Sequence, residues 1–256
     1  MLRRAVRHPD GSEPSPRPVP VRDPVAAAEG GAGICATFSI VGRDPRTGEV
    51  GIAVSTAVPG VGAIVPHACR HGAIATQSYT NIDLGLKGQE LLALGLPIGE
   101  AIETLLRQDR GREVRQVHGI DAEGRTFTFI GQRGVPWCGH LAGANHTVAG
   151  NMLVGRATIR TMSESFRRSA RSGLDLAERL LRALESGQRA GGDKRGKVSA
   201  ALLVWSPRPR YTHNCRVDAH ADPVAELRRV FEATKAHMPR RLRTARQSGA
   251  PVRVKL

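Results

Sequence analysis

The chain has no run of eighteen consecutive apolar residues, which excludes a transmembrane helix, and its first residues lack the apolar core of a secretory signal. Together these absences predict a cytoplasmic protein. Cysteine is scarce: Cys35, Cys69, Cys138 and Cys215 are far apart and form no CxxC pair, which argues against a disulfide framework or a zinc ribbon. Aromatic residues make up 4 % of the chain, too few for a platform that stacks single-stranded bases. Lysine is rare as well, five of 38 basic residues. The net charge of +15 is unevenly spread, with +1 on residues 1–33, +7 on residues 235–256 and +7 between them. That distribution argues against nucleic acid as a partner of the folded part and confines salt-sensitive polyanion binding to the tail.

What is present is enough for one domain with a real core in 256 residues. Residues 1–33 hold six prolines and almost no large apolar side chains, so they cannot bury the surface that ordering requires. The expected organisation is a disordered leader over 1–35, a domain over 36–236, and a basic, disordered tail over 237–256. In the domain, Ala36–Val41 and Val50–Thr56 alternate apolar residues around the turn sequence Asp44-Pro45-Arg46-Thr47-Gly48, the pattern of a hairpin. A turn centred near residues 46 and 47 puts Thr37 opposite Thr56 to within one residue, so the hydroxyl at the strand start is expected beside Ser55 and Thr56.

The runs Val61–His67 and Gly72–Ser78 predict a second hairpin turning near Cys69-Arg70-His71. Asn81 or Asp83 caps a helix that stops at Gly95, and Pro97 opens another carrying the stripe Ile98, Ala101, Ile102, Leu105 and Leu106. Glu113–Ile120 and Arg125–Ile130 form a third hairpin, Thr147–Leu153 a further strand. Helices are predicted over 156–171 and 174–186, the latter ending at Gly187. Val198–Trp205 is a strand, and Asp222-Pro223 caps a last helix with Val224, Leu227 and Phe231. Strand hairpins between helix pairs imply helices packed on the outer faces of mostly antiparallel sheet.

Three polar stretches compete as sites. Gly191-Gly192-Asp193-Lys194-Arg195-Gly196-Lys197-Val198-Ser199 approaches a phosphate-binding loop but has Val198 where a hydroxyl is required and leads from helix into strand, the reverse of a P-loop. Asp193, Arg195, Lys197 and Ser199 are still a dense polar group at a strand entrance. His67, Cys69 and His71 lie at i, i+2 and i+4, but the turn placed there breaks the shared face, and no metal site is assigned. Trp137-Cys138-Gly139-His140 and His213-Asn214-Cys215 mix soft ligands and bases without regular spacing; no local signature makes Cys138 or Cys215 a nucleophile.

Several stretches in order resemble the domain of unknown function family 1028, placed in the N-terminal nucleophile (Ntn) hydrolase superfamily. They are Thr37-Phe38-Ser39-Ile40-Val41 with Arg43-Asp44, Ala75-Thr76-Gln77, Trp137 with Gly139-His140, and Gly150-Asn151-Met152-Leu153. Gly191-Gly192-Asp193 with Arg195-Gly196-Lys197 and Ser199-Ala200-Ala201 follow, then Arg216-Val217-Asp218 with His220 and Asp222-Pro223. The resemblance implies an α+β fold, a four-layer αββα sandwich of mostly antiparallel sheets. It also implies an amidohydrolase acting on a small amide or related C–N bond. Thr37 would be the nucleophile, its own α-amino group, of pKa about 7.7 to 8, the general base. Ser55 or Thr56 would orient it, and backbone N–H groups with Asn81 or Asn151 would hold the oxyanion. Arg195 and Lys197, with Asp193 and Ser199, would bind a small-molecule substrate carrying a carboxylate. No cofactor is implied, and a homo-oligomer is compatible with the pattern. Thr37 is preceded by 36 residues, and a nitrogen in a peptide bond has no basic lone pair, so this chemistry requires that residues 1–36 be removed or that translation start further down the chain. The alternative is a non-catalytic binding or interaction protein on the same fold, with Thr37 permanently blocked.

Overall fold

Ile34–Cys35 form a two-residue strand, β1, and the first long hairpin follows: β2 (Thr37–Asp44) and β3 (Glu49–Thr56). Its turn is closed by Asp44, whose carbonyl accepts from Thr47 and Gly48 while its carboxylate accepts from the Arg46 amide at 3.0 Å; Gly48 takes the left-handed φ of 72° that the turn needs. The register pairs Thr37 with Thr56, the partner that the position of the turn predicts. These coordinates are a computed structural model that describes residues 34–35, 37–207 and 213–237. Apart from Ile34, Cys35 and His237, the expected leader and tail lie outside the described residues.

The second hairpin, β4 (Pro66–Cys69) and β5 (Gly72–Tyr79), is shorter than its apolar run suggests. Val61–Ala63 is a 3-10 turn, not a strand: Gly60 sits at φ 73°, Val61 donates its N–H to Ser199 Oγ, and a Cβ on Gly62 would come within 2.9 Å of the Ala201 Cβ. Next come α1 (Ile82–Ala93), capped by Asn81 as expected, then α2 (Ile98–Gln108), β6 (Arg115–Asp121) and β7 (Thr126–Ile130). The rest comprises β8 (Gly139–Gly143), β9 (His146–Gly150), α3 (Arg156–Arg171), α4 (Leu176–Arg189), β10 (Ser199–Trp205), β11 (His213–Val217) and α5 (Pro223–His237). Helix α4 does not stop at Gly187. A Cβ there would meet the Met162 side chain at 2.7 Å, so this glycine permits the close approach of α4 to α3 and β2 instead of ending a helix.

Every pairing between these strands is antiparallel. One sheet has the order β11-β10-β3-β2-β9-β8, and the other β1-β5-β6-β7 with β4 beside β5. Apolar residues collect in three clusters. Phe38, Ile40, Ala53, Leu202 and Val204 of the six-stranded sheet pack on Met162 and Phe166 of α3, Leu180 and Leu184 of α4, and Leu227 and Phe231 of α5. Ile74 and Val117 of the other sheet meet Leu84, Leu92, Ile102 and Leu106 of α1 and α2. Between the sheets lie Val41, Ile52, Val54 and Ala201 from one and Ala73, Ala75 and Ile120 from the other. The chain is thus an α+β protein of two antiparallel sheets and, among the described residues, five α-helices. No helix among them is long and apolar enough to cross a membrane.

Candidate functional site

Side chains alternate between the faces of a strand, so the clusters fix which way each residue points. Phe38 and Ile40 face the helices; Thr37, Ser39 and Val41 therefore face the other sheet. Thr37 pairs with Thr56 of β3, and Thr56 with Ser199 of β10, so three hydroxyls form a row across neighbouring strands at one end of the six-stranded sheet. On the opposite side of Thr37, the Asn151 amide donates to the Thr37 carbonyl at 2.9 Å, continuing the β2–β9 ladder by one residue. Thr37, Thr56 and Ser199 are all 0 % exposed and Asn151 is 1 % exposed.

Ser55 is not in this row. It lies opposite Phe38 and Ala200 on the helix-facing side, and its hydroxyl donates to the Ser199 carbonyl at 3.1 Å. The expectation that Ser55 and Thr56 both face Thr37 is corrected by the pleat: adjacent residues of a strand cannot share a face. Asn81 is engaged elsewhere, its Oδ1 accepting from the Asp83 amide as the α1 cap and its Nδ2 donating to Asp109 at 3.1 Å. Burial would raise the Asp109 carboxyl, but its bonds to Arg115, Asn81 and the Gly111 amide hold it below the ordinary carboxylate range.

Beside the row, between the two sheets, a buried polar chain links Ser39 and Thr147 of the six-stranded sheet, and Asn151 next to it, to Gln77, Gln116 and His118 of the five-stranded one; of these, sequence reasoning assigned a site role to Asn151 alone. The Thr147 hydroxyl is 2.8 Å from His118 Nδ1, His118 Nε2 is 2.7 Å from Ser39 Oγ, and Ser39 donates to Gln77 Oε1 at 2.6 Å. Gln77 Nε2 donates to Gln116 Oε1 at 2.7 Å, as does Asn151 Nδ2 at 2.9 Å. Complete burial, with His140 nearby, pushes His118 down to about 3, so the ring is neutral at physiological pH. The signal was in the sequence as Gln116-Val117-His118 and Gln77, but alternation of this kind reads equally as a strand with one wet face.

Three loops close over the same end. Asp193, its carboxylate fully buried, accepts from the Ala57 amide at 3.2 Å and from the Arg195 amide at 2.9 Å, and pairs with the Arg195 guanidinium at 3.2 Å. Ser199 Oγ donates to the Val58 carbonyl at 2.6 Å and accepts from the Val61 amide. Lys197 pairs with Asp222 at 2.7 Å, a bond that lowers the Asp222 carboxyl. The four expected substrate-binding residues thus cluster beside Thr56, but Asp193 and Ser199 are occupied in fastening the loop. His67 stacks on Gly85 and Cys69 bonds to Gln89; among the described residues no group of three metal-ligating side chains assembles.

Backbone strain marks the flanks of the row. Ser78, opposite Cys35, has φ 71°, and Met152, next to Asn151, has φ 52°, left-handed values unusual for residues with side chains. Strand β1 belongs to the five-stranded sheet, pairing Ile34 with Tyr79 and Cys35 with Ser78, whereas β2 belongs to the other. The chain therefore changes sheets immediately before Thr37.

The family model described as a family of unknown function (DUF1028) matches residues 37–227, and the chain belongs to that family. It is similar to the crystal structure of protein SPO2555 from Silicibacter pomeroyi, of the same family, at 31 % identity and TM-score 0.72, over 82 % of this chain and 94 % of that one. The chain matches none of the curated proteins.

Proposed function

We propose that the chain is an Ntn-type amidohydrolase that cleaves a small amide or related C–N bond through Thr37, freed by removal of residues 1–36. The observation that carries the reading is the position of Thr37: the first residue of β2, in the interior of the six-stranded sheet, flanked by Thr56 and Asn151 and directed into the polar end of the space between the sheets. The family match that begins at Thr37 itself supports it. So does the order helices, sheet, sheet, helices, which fits the αββα sandwich of Ntn hydrolases.

In this mechanism Thr37 Oγ attacks the carbonyl carbon while its hydrogen passes to the α-amine. The amine returns that proton to the leaving nitrogen as the C–N bond breaks, leaving a threonyl ester. Water then attacks the ester by the same route and regenerates Thr37. Thr56, the hydroxyl neighbour on the same face, orients the nucleophile, and backbone N–H groups at the strand ends hold the oxyanion. Arg195, 31 % exposed at the rim, is suited to a substrate carboxylate.

The decisive measurement is N-terminal sequencing and intact mass of the protein from its native host. A chain beginning at Thr37, with amidase turnover that Thr37→Ala abolishes, supports the enzyme. The complete burial of Thr37 in the uncut chain favours a second reading, a non-catalytic binding or interaction protein. A homogeneous chain retaining residues 1–36 would establish that alternative and end the first.

A further inference from the structure

Gln116 is the pivot of the buried polar chain, and its orientation follows from chemistry. Its Nε2 lies 2.9 Å from the Gly150 carbonyl and 3.3 Å from the Gly139 carbonyl. Backbone carbonyls only accept, so the amide nitrogen must face them and Oε1 must face the other way. That oxygen takes the hydrogens of both Gln77 Nε2 and Asn151 Nδ2. The same logic runs onward: Gln77 Oε1 takes the Ser39 hydroxyl hydrogen, Ser39 Oγ accepts from Nε2–H of His118, and Nδ1 accepts from Thr147. Asn151, with its nitrogen turned to Gln116, presents Oδ1 elsewhere. This oxygen is buried and has no hydrogen-bond partner among the described residues, whereas the amide oxygen of Gln77 accepts one hydrogen bond and that of Gln116 accepts two.

The geometry of the ladder says which donor belongs there. Within a β-strand the N–H and C=O of one residue point to the same neighbouring strand. The Thr37 carbonyl accepts from the Asn151 amide, so the Thr37 nitrogen faces the main chain of Asn151 as well, on the strand edge from which the Asn151 side chain rises. Side chains of directly opposed residues start from Cβ atoms about 5 Å apart, within reach of a carboxamide. We propose that Asn151 Oδ1 is the seat of the Thr37 α-amino group once the bond to Ala36 is cut, with Gln116 keeping that oxygen turned toward it. Asn151 is then a positioning residue that acts as an acceptor, not an oxyanion donor. An N–H of the amine given to Oδ1 leaves the nitrogen lone pair free to face Thr37 Oγ, the orientation that proton transfer requires. The inference rests on the Ntn-type reading of Thr37.

The test uses the protein processed in its native host, with Thr37 as first residue. The readout is the pH profile, from about 6 to 9, of Thr37 acylation by an amine-reactive reagent, followed by peptide mapping. Removing the acceptor disfavours the ammonium form, so Asn151→Ala should expose roughly four- to fivefold more free amine at neutral pH, the change that a one-unit fall from about 7.7 to 8 produces. Asn151→Asp keeps an acceptor and adds charge, so it should expose roughly tenfold less. A merely structural residue would move both variants in one direction. Gln116→Met, which frees Asn151 to turn, should shift the profile as Asn151→Ala does and serves if that variant does not fold. Other charged and titratable groups at this end include Asp193 with Arg195, Asp109 with Arg115, Lys197 with Asp222, Asp218 with Arg216, Lys194, His118, His140 and Cys138; they are common to all the variants. Identical profiles for wild type and variants overturn the inference and leave the nucleophile reading intact. A native chain that retains residues 1–36 overturns both.

Discussion

His118 offers a quantitative test of the buried polar chain. Its ring titrates at about 3 in the fold against 6.5 for the free side chain, because burial disfavours the imidazolium. Throughout that interval the folded state binds fewer protons than the unfolded state, so stability falls as the pH drops below 6.5 and continues to fall toward 3. The slope approaches about 1.4 kcal/mol per pH unit, which amounts to about 2 kcal/mol between pH 7.5 and pH 5.0. His67, His140 and His146 are also lowered by burial and add to the loss, so the contribution of His118 must be read as a difference. The perturbation is His118→Gln, which retains an amide hydrogen for Ser39 and removes the titration. Urea unfolding at pH 7.5 and pH 5.0 should show the variant losing about 2 kcal/mol less than wild type on acidification. Above pH 5 the paired carboxylates of Asp44, Asp109 and Glu178, all held below their ordinary range, stay ionised and do not confuse the comparison. Equal losses in the two proteins would refute a neutral, buried His118 and the directed hydrogen bonding built on it.

Further outcomes follow from other contacts. Leu180→Ala, at a fully buried position between α4 and the six-stranded sheet, should destabilise by about 2 to 5 kcal/mol in denaturant titrations, with the slope unchanged. Gly42→Ala would place a Cβ 2.7 Å from the Phe166 ring, and overpacking of this kind should cost about 1 to 3 kcal/mol, visible as a fall in Tm of several degrees. Arg115→Met leaves the buried Asp109 carboxylate without its 2.8 Å partner and should destabilise by about 3 to 5 kcal/mol at pH 7, less in acid where the orphaned carboxylate can protonate. Once a substrate carrying a carboxylate is in hand, Arg195→Ala should raise KM tenfold or more with little change in kcat; an unchanged KM removes Arg195 from substrate binding.

Elements with strong local chemistry were legible in the sequence. The β2–β3 register could be read to within one residue because Asp44, Pro45 and Gly48 fix where the turn falls, and α1 and α2 announced themselves by a cap at Asn81 or Asp83, by Pro97 and by the stripe from Ile98 to Leu106. The two edge strands β8 and β11 were missed, since Gly-His-Leu-Ala-Gly and His-Asn-Cys-Arg-Val carry little of the β-branched pattern that interior strands need. Gly187 misled for a related reason: a glycine signals either a helix end or a close approach, and only the position of Met162 distinguishes them. At the site, Thr37, Thr56 and Asn151 were nameable from pattern and resemblance. Their partners were not, because Gln77, Gln116 and His118 are brought opposite Ser39, Asn151 and Thr147 by the stacking of two sheets, and nothing local in a strand says whether its polar face meets water or another sheet.

The change of sheets before Thr37 also bears on whether any cut there is reversible. While the bond to Ala36 is intact, β1 stands beside Ser78 and Tyr79 at an effective concentration in the millimolar range or above, supplied by the tether. In its described part the segment is held by two residue pairs, whose net hydrogen-bond energy of about 1 kcal/mol each could not retain a free peptide at cellular concentrations. Scission would therefore act as a ratchet. Once the tether is cut, these two pairs alone do not hold β1 at the end of β5, and they do not re-form the uncut arrangement by mass action.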